Sequence, residues 1–322
     1  MSNPKVSVLI GAYNAELWIG ETLRSVLRQT YRNLEVVVVD DGSTDDTVAS
    51  ARQAVEGSEV DVRVLTQPNR GACAARNHAF RASTGSFVQY LDADDLLHPE
   101  KIEKQIQRLT HQPPGAVATG PWARFRDEVP DLDAVTPASD WQDYDPATEW
   151  LVQSWSGDGT IPLFSWLIPR DVAEAAGPWA EGLLRNQDGE YMSRILVRSR
   201  QISFCEGAWG FYRSAGPGSV SARKSEAALR SLYEATERCE RVLLEHEDTP
   251  TNRRACSGMW QQFLFTAYPN VPDLIQHAER RVEALGGMYR KPGVSRPLRV
   301  LRDRLGWKVA LHIQHLYNRV RS

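Results

Sequence analysis

The sequence lacks several features that would place the chain in a common class of protein. Its four cysteines, Cys73, Cys205, Cys239 and Cys256, show no CxxC spacing, which argues against a zinc site and a disulfide framework. No run approaches the roughly 20 apolar residues that span a bilayer, and the N-terminus does not resemble a signal peptide. We therefore expect a cytoplasmic protein with reduced cysteines and no transmembrane helix.

Two glycine-rich phosphate-binding motifs are also missing. Neither GxGxxG nor GxxxxGK[ST] follows the first apolar run at residues 6–10. Their absence weakens two interpretations, a dinucleotide-dependent oxidoreductase and a P-loop nucleotidase.

What is present describes an ordinary globular chain with an unusual end. The 322 residues are 42% hydrophobic and 25% charged, which is typical of a soluble protein with one large domain and a smaller second part. The net charge is -3, yet residues 290–322 contain nine Lys and Arg against the single Asp303. The C-terminal segment is thus electrostatically distinct from the rest.

Hydrophobic periodicity indicates an α/β fold in the N-terminal part. Apolar runs at 6–10, 34–39, 62–65 and 87–91 alternate with segments of helical spacing, and Ser43 with Asp46 resembles a capping box for the second helix. The order β-α-β-α-β-α-β predicts a doubly wound, mostly parallel sheet flanked by helices. Four helices are predicted further on, at 225–247, 254–267, 272–285 and 297–320.

Acidic residues follow two of the predicted strands, where ligands bind in such sheets. Asp92, Asp94 and Asp95 offer hard oxygen ligands that suit Mg²⁺ or Mn²⁺, although a solvated acidic turn is the alternative. Asp40 and Asp41 close another strand, either as a turn or as acceptors for a base or ribose. Similarly, Tyr13 after the first strand is either a core residue or a platform for a base.

Four motifs occur in order: VSVLIGAYN, VVVDDGSTDDT, NRGACAARN and YLDADD. With them the chain resembles family 2 glycosyltransferases of the GT-A fold. The resemblance implies a metal-binding DxD around Asp94, with Asp92 and Asp95, that holds Mg²⁺ or Mn²⁺. It also implies a set of nucleotide-sugar-binding residues, comprising Ala12, Tyr13, Asn14, Asp41, Arg76, Asp92 and Arg213.

The second half carries two further matches to that family. Asp188, followed six residues later by Arg194, stands in the position of the catalytic base, although Gln187 replaces the usual glutamate. A plain N-cap is the alternative for Asp188. The sequence YRS at 212–214, with serines at 219 and 221, is similar to a loop near the diphosphate, but its histidine is missing. Arg213 is therefore either a phosphate ligand or a solvated arginine.

Taken together, these residues imply an inverting enzyme that moves a sugar from a nucleotide diphosphate donor, a UDP-sugar by preference, to an acceptor hydroxyl. A glycan, a lipid-linked glycan or a protein would be the acceptor. Asp188 would act as general base. Two alternatives are open: a non-catalytic nucleotide-sugar or glycan-binding module of the same fold, and a sugar-phosphate nucleotidyltransferase. The predicted regions are 1–112 for the donor, 113–222 for the acceptor and the base, and 223–322 for a helical extension.

The last predicted helix has a separate interpretation. Leucines, valines and an isoleucine recur every three or four residues over 297–320, with basic residues between them. This pattern is typical of a basic amphipathic helix, which either contacts an anionic membrane peripherally or packs on its own domain. A nucleic-acid partner is not expected, because the chain as a whole is acidic.

Overall fold

The computed structural model describes residues 3–157, 159–214 and 225–321, with side chains up to residue 317; the serines at 219 and 221 lie outside these ranges. The chain forms two compact units. The described residues of the first are 3–150, 159–182 and 187–214, and those of the second are 151–157, 183–186 and 225–321. The predicted regions 1–112 and 113–222 thus contribute to a common unit, and their division by donor and acceptor stays a prediction.

The first unit is built on three sheets. Its strands are β1 (Val6–Ala12), β2 (Leu34–Asp40), β3 (Asp61–Thr66), β4 (Phe87–Asp92), β5 (Leu96–Leu97), β6 (Val117–Thr119), β7 (Trp122–Phe125), β8 (Ile168–Pro169), β9 (Ile202–Phe204) and β10 (Gly210–Arg213). The main sheet has the order β3-β2-β1-β4-β8, and all its pairs are parallel except β4 with β8. The smaller sheets are β5-β10-β7 and β6-β9. The prediction of a mostly parallel α/β sheet is confirmed.

Helices follow most of the strands of the main sheet. Those that begin in the first unit are α1 (Ile19–Leu27), α2 (Thr47–Ala54), α3 (Ala72–Ala82), α4 (Lys101–Leu109), α5 (Thr148–Ser156), α6 (Arg170–Ala176) and α7 (Gln187–Leu196). Helix α1 buries Ile19, Leu23 and Val26, which recur at helical spacing. Strand β2 is buried along its whole length, as its apolar, β-branched sequence predicts for an inner parallel strand.

The predicted capping box at Ser43 and Asp46 is wrong. Helix α2 begins later, at Thr47, whose backbone N–H donates to Asp45 Oδ1 at 3.1 Å. The Ser43 hydroxyl accepts a bond from the backbone N–H of Asn14 at 2.9 Å instead. Ser43 therefore joins two loops at the edge of the sheet rather than starting a helix.

A lysine lies in the core of the first unit. Lys101 is fully buried, and its Nζ donates to Gln89 Oε1 at 2.6 Å and to Gln105 Oε1 at 2.7 Å. Burial lowers the pKa of Lys101 to about 7, because no carboxylate of a described residue lies within hydrogen-bonding distance to compensate the lost hydration. Nearby Cys205 does not supply a negative charge at neutral pH, since burial raises the pKa of its thiol to about 12.

The second unit is helical. It contains α8 (Glu226–His246), α9 (Pro250–Ala267), α10 (Pro272–Ala284), α11 (Leu298–Leu305) and α12 (Trp307–Arg321). Helix α9 begins four residues before the predicted start, because Thr249 caps the backbone N–H of Asn252 and Pro250 suits the first turn. The aromatic rings of Tyr233, Trp260 and Phe263 pack against one another between α8 and α9.

The prediction of a single helix over 297–320 is wrong in one respect. The segment divides into α11 and α12 at Gly306, whose φ of +90° lies outside the helical region and is readily adopted by glycine. Helical periodicity alone did not reveal this break, because Gly306 falls between two stretches that each keep the spacing.

Candidate active site

Three strand ends meet at one edge of the main sheet. The register pairs Ala12 with Asp40 and Gly11 with Asp92, so the carboxyl ends of β1, β2 and β4 lie side by side. Ligands of open parallel sheets bind outside this edge. Tyr13, Asp41 and Asp94, which the sequence predicted for donor and metal binding, therefore follow neighbouring strands.

The acidic turn after β4 is held in a fixed shape. The backbone N–H of Asp95 donates to Asp92 O at 3.2 Å, and the Thr22 hydroxyl donates to Ala93 O at 2.9 Å. Burial, and then the charge of Asp92, raise the pKa of Asp94 to about 6 and that of Asp95 well above its ordinary value. The ionised forms of Asp94 and Asp95 are thus disfavoured, and a cation bound at this turn would stabilise them.

The three carboxylates are not equally available. The side chain of Asp92 is 39% exposed and Asp94 is half-buried, whereas Asp95 is only 2% exposed. Asp95 Oδ1 also accepts the backbone N–H of Arg213 at 2.8 Å. Asp95 thus fixes strand β10 beside the acidic turn.

Arg213 is buried and fully engaged. Its Nε donates to Asp94 O at 2.8 Å, its Nη1 to Arg126 O at 3.1 Å, and its Nη2 pairs with Glu21. The guanidinium lies 4.3 Å from the ring centroid of Phe125. The interpretation as a solvated arginine is therefore wrong, and contact with phosphate, which requires one of these bonds to be exchanged, stays a prediction.

Arg76 joins the two halves of the predicted site. Its Nη2 donates to Asp92 Oδ1 at 2.7 Å and its Nη1 to Asp188 Oδ1 at 2.9 Å. The guanidinium is 7% exposed and stands 4.5 Å from the ring centroid of Trp179, which stacks on Tyr191. Both carboxylates raise the pKa of Arg76, so the guanidinium stays charged.

Asp188 projects from the first turn of α7, which begins one residue earlier at Gln187, so the N-cap interpretation is wrong. The side chain of Asp188 is 49% exposed. Desolvation by the surrounding protein nevertheless raises its pKa. Arg76 opposes that rise and Asp92 adds to it. Asp188 is thus a carboxylate near solvent, oriented by one guanidinium and more basic than an ordinary aspartate, as a general base should be.

Asp41 binds backbone rather than facing an open pocket. Its Oδ1 accepts from Gln67 Nε2 at 2.8 Å and from the Arg70 backbone N–H at 2.9 Å, and its Oδ2 accepts from the Gly71 N–H at 2.7 Å. The side chain holds the loop that precedes α3, the helix of Arg76. A direct contact between Asp41 and the nucleotide stays a prediction.

The loop after β1 combines one exposed residue with two tethered ones. Tyr13 is 52% exposed and so is not a core tyrosine, while Ala12 is buried at the strand end. Asn14, at φ +48°, accepts the Thr44 backbone N–H on its Oδ1 at 2.9 Å. The backbone N–H of Asn14 also donates to the Ser43 hydroxyl. Together the two hydrogen bonds fix the loop that carries the exposed ring of Tyr13.

The donor set at the acidic turn fits a cation held mainly by substrate. Within the described ranges, no three His, Cys, Asp or Glu side chains converge as a site made of protein alone would require. Mg²⁺ and Mn²⁺ at nucleotide sites, however, typically take one or two carboxylates and complete their shell with phosphate oxygens and water. Asp94 and Asp92 meet that requirement better than the buried Asp95.

Two functional contributors were missed at the level of sequence. Glu21 pairs with Arg213 across 192 residues of chain, and nothing in its helical pattern distinguishes it from a surface residue. The side-chain amide of Asn77 accepts the backbone N–H of Trp179 at 2.8 Å and donates to its carbonyl oxygen at 3.0 Å. These two bonds hold the residue whose ring lies beside the Arg76 guanidinium. The place of Asn77 directly after Arg76 in the NRGACAARN motif was the available signal.

Comparison with known proteins gives consistent matches. The family described as "Glycosyl transferase family 2" matches residues 7–166. The putative glycosyltransferase EpsE of Bacillus subtilis is 38% identical over 121 residues, which cover 37% of this chain and 44% of EpsE. EpsH of the same organism is 31% identical over 220 residues, or 66% of this chain and 62% of EpsH. The chain thus spans less than two thirds of the length of each of these two relatives.

Solved structures extend the similarity to nearly the whole chain. S. aureus TarS 1-349 in complex with UDP-GlcNAc superposes with a TM-score of 0.63 at 17% identity, covering 89% of this chain and 93% of that one. The mannosyltransferase PcManGT from Pyrobaculum calidifontis, in complex with GDP-Man and Mn²⁺, has a TM-score of 0.58 at 17% identity and covers 99% of this chain and 88% of that one. At this level of identity the likeness concerns the fold, which is of the GT-A type.

Proposed function

Because the chain belongs to glycosyltransferase family 2, we propose that it transfers a sugar from a nucleotide diphosphate donor to an acceptor hydroxyl with inversion at the anomeric carbon. The observation that supports this most directly is the Arg76 bridge between Asp92 and Asp188. The Arg76 guanidinium thereby holds Asp92, at the donor edge, and Asp188, the candidate base, on either side of it.

Asp188 is the proposed base. As the acceptor oxygen bonds to the anomeric carbon, its proton passes to the Asp188 carboxylate, and the bond from that carbon to the diphosphate oxygen breaks. Arg76 orients the carboxylate and keeps it ionised between turnovers. No covalent bond to the protein is needed for a single inversion.

On the donor side, Asp94 and Asp92 would hold Mg²⁺ or Mn²⁺, which would neutralise the charge on the departing diphosphate. Asp95 positions β10 and Arg213 next to them. The exposed ring of Tyr13 would stack on the base, with Ala12, Asn14 and the Asp41 loop shaping the pocket around it.

The comparisons support a nucleotide-sugar donor, and we propose a UDP-sugar. TarS is in complex with UDP-GlcNAc, whereas PcManGT is in complex with GDP-Man and Mn²⁺. The putative teichuronic acid biosynthesis glycosyltransferase TuaG of Bacillus subtilis is 35% identical over 144 residues, 45% of this chain and 57% of TuaG. That name supports a glycan or lipid-linked acceptor in cell-envelope polysaccharide assembly. Cys73, Cys205 and Cys256 are buried free thiols, which supports a role in a reducing compartment.

An aromatic surface beside the acidic turn is the proposed acceptor platform. Tyr212 and Trp122 stand edge to face at 6.4 Å, with the guanidinium of Arg124 4.9 Å from the Tyr212 ring centroid. Burial, and then the charge of Asp95, raise the pKa of Tyr212, which places it in the field of the acidic turn. Half-buried aromatic rings of this kind bind the apolar faces of sugars.

The first test is nucleotide release from UDP-, GDP- and dTDP-sugars with Mg²⁺ or Mn²⁺, in the presence of glycan and lipid-linked acceptor extracts. We expect turnover of one donor, its loss on addition of a chelator, and recovery when the cation is restored. Asp94→Asn should reduce the rate by about 10²-fold or more, since cation-supported charge neutralisation contributes several kcal/mol. Asp127→Asn, an exposed carboxylate, is the matched control.

Other outcomes of this test point to other functions. Binding of a nucleotide sugar without turnover under any condition would favour a non-catalytic module. Release of pyrophosphate from a nucleoside triphosphate and a sugar phosphate would indicate a nucleotidyltransferase.

Replacing Arg76 with lysine tests the bridge itself. A lysine keeps the positive charge, but it cannot donate to two carboxylates in the fixed fork of a guanidinium. We expect kcat to fall by about 10²-fold through misplacement of Asp188. The acidic limb of the pH-rate profile should also move to higher pH, because the variant loses the guanidinium hydrogen bond that helps to lower the pKa of Asp188.

Arg70→Lys is the matched control, since Arg70 is 60% exposed and, among the described residues, forms its ion pair with the partly exposed Glu181. An unchanged pH profile in Arg76→Lys would show that Arg76 does not act on the base.

A further inference from the structure

An apolar stripe lies exposed along α12. Val309, Ile313 and Leu316 are 38%, 37% and 51% exposed. Their spacing of four and seven residues places them on one face of the helix. A helix of a globular protein normally buries such a face, so this exposure calls for a partner.

The opposite side of α12 is the one that packs within the second unit. Ala310 is fully buried, and the Trp307 ring contacts the rings of Phe265 and Tyr268 edge to face at 5.5 and 5.4 Å. Lys308 pairs with Glu279. The helix is thus anchored without use of its apolar stripe.

Helix α11 adds to the same region. Val300 and Leu305 are 60% and 61% exposed. Six of the twelve large hydrophobic side chains that are exposed among the described residues therefore lie between residues 298 and 317. Such a concentration marks an interaction surface rather than the ordinary scatter of surface apolar groups.

The charges that the segment 290–317 itself carries are almost entirely positive. Arg296, Arg299 and Arg304 are exposed and form no ion pair with any described side chain, while Asp303 is shared by Lys291 and Arg302. A second copy of this face would bring like charges together and is disfavoured. An anionic surface with an apolar interior complements both features.

We propose that α11 and α12 dock on an anionic lipid bilayer, with the apolar stripe of α12 at the boundary between headgroups and acyl chains and the free arginines among the headgroups. The docking is peripheral, since no helix in the described part of the chain is long and apolar enough to cross a membrane. This inference does not depend on the proposed catalytic reaction.

The test is co-sedimentation of the full chain with vesicles of phosphatidylcholine alone and of phosphatidylcholine mixed with phosphatidylglycerol. We expect binding only to the mixed vesicles and its weakening by salt. Ile313→Ser with Leu316→Ser, and separately Arg299→Gln with Arg304→Gln, should each lower the partition coefficient by about tenfold or more. Val129→Ser, which removes an exposed apolar side chain of the first unit, should leave it unchanged.

Circular dichroism and nucleotide release, measured on each variant, separate loss of docking from misfolding. Wild-type-like binding by the stripe variant, or equal binding to both vesicle types, would overturn the proposal. So would a wild-type dimer that binds no vesicle and becomes monomeric in the stripe variant, because the partner would then be a second copy.

Discussion

Asp188→Asn should lower kcat for sugar transfer by about 10²–10⁴-fold, the usual contribution of a general base, while the donor still binds. Asparagine has nearly the same shape as aspartate, and its carbonyl oxygen can still accept from Arg76 Nη1, which lies 2.9 Å from Asp188 Oδ1. What the amide cannot do is take a proton. Steady-state kinetics with saturating acceptor, together with donor binding by calorimetry, measure the two effects separately.

The same experiment has an informative pH dependence. Because burial raises the pKa of Asp188, the wild-type rate should begin to fall, as the pH is lowered, at a higher pH than an ordinary aspartate would give. The residual rate of Asp188→Asn should lack that acidic limb. If the variant retains both the rate and the limb, another group is the base; Asp127→Asn controls for the loss of one surface carboxylate.

Lys101→Met should remove a rise in stability with pH. The wild-type Lys101 has a pKa of about 7 when folded, against 10.5 for an ordinary lysine, so between these values the unfolded chain holds a proton that the folded chain lacks. Stability must therefore increase as the pH rises through this window, by up to about 1.4 kcal/mol per pH unit. Below about pH 7 the amine is protonated in both the folded and the unfolded chain, so the full free-energy cost of burying its charge is present.

The measurement is urea unfolding at a series of pH values from 7 to 10, with the slope compared between variants. Lys104→Met is the matched control, because Lys104 is on the same helix, is 37% exposed and pairs with Glu100. The slope is the decisive quantity, since removing the amine also leaves Gln89 and Gln105 without their donor. Equal slopes in Lys101→Met and wild type would show that Lys101 is protonated in the folded protein.

The sequence was sufficient for the main sheet because each inner strand is apolar on both faces and ends at a turn signal. The strands at 6–12, 34–40 and 87–92 and the edge they share follow from that pattern. The same reasoning placed the acidic turn and Tyr13 at this edge. Alternation between strand and helix leaves few arrangements of such a sheet, so local signals carried the prediction.

What could not be predicted depends on contacts between distant parts of the chain. Arg76 and Asp188 are 112 residues apart, and no spacing rule links them. The contacts of Arg213 and the hydrogen bonds of Asp41 to the loop before α3 likewise form only when distant segments pack together. Ser43 shows the opposite failure, because a locally plausible cap was displaced by a hydrogen bond to Asn14 in a neighbouring loop.

The guanidinium shared by Asp92 and Asp188 also makes the two carboxylates thermodynamically linked. Each carboxylate favours the charge of Arg76, and the charge of Asp92 disfavours ionisation of Asp188, so a change at Asp92 alters the ionisation of Asp188. A cationic ligand that neutralises Asp92 would leave the guanidinium more fully to Asp188 and stabilise its ionised form. By reciprocity, ionised Asp188 draws Arg76 away from Asp92 and strengthens cation binding there. In the proposed mechanism, cation binding at Asp92 and ionisation of Asp188 would therefore favour each other.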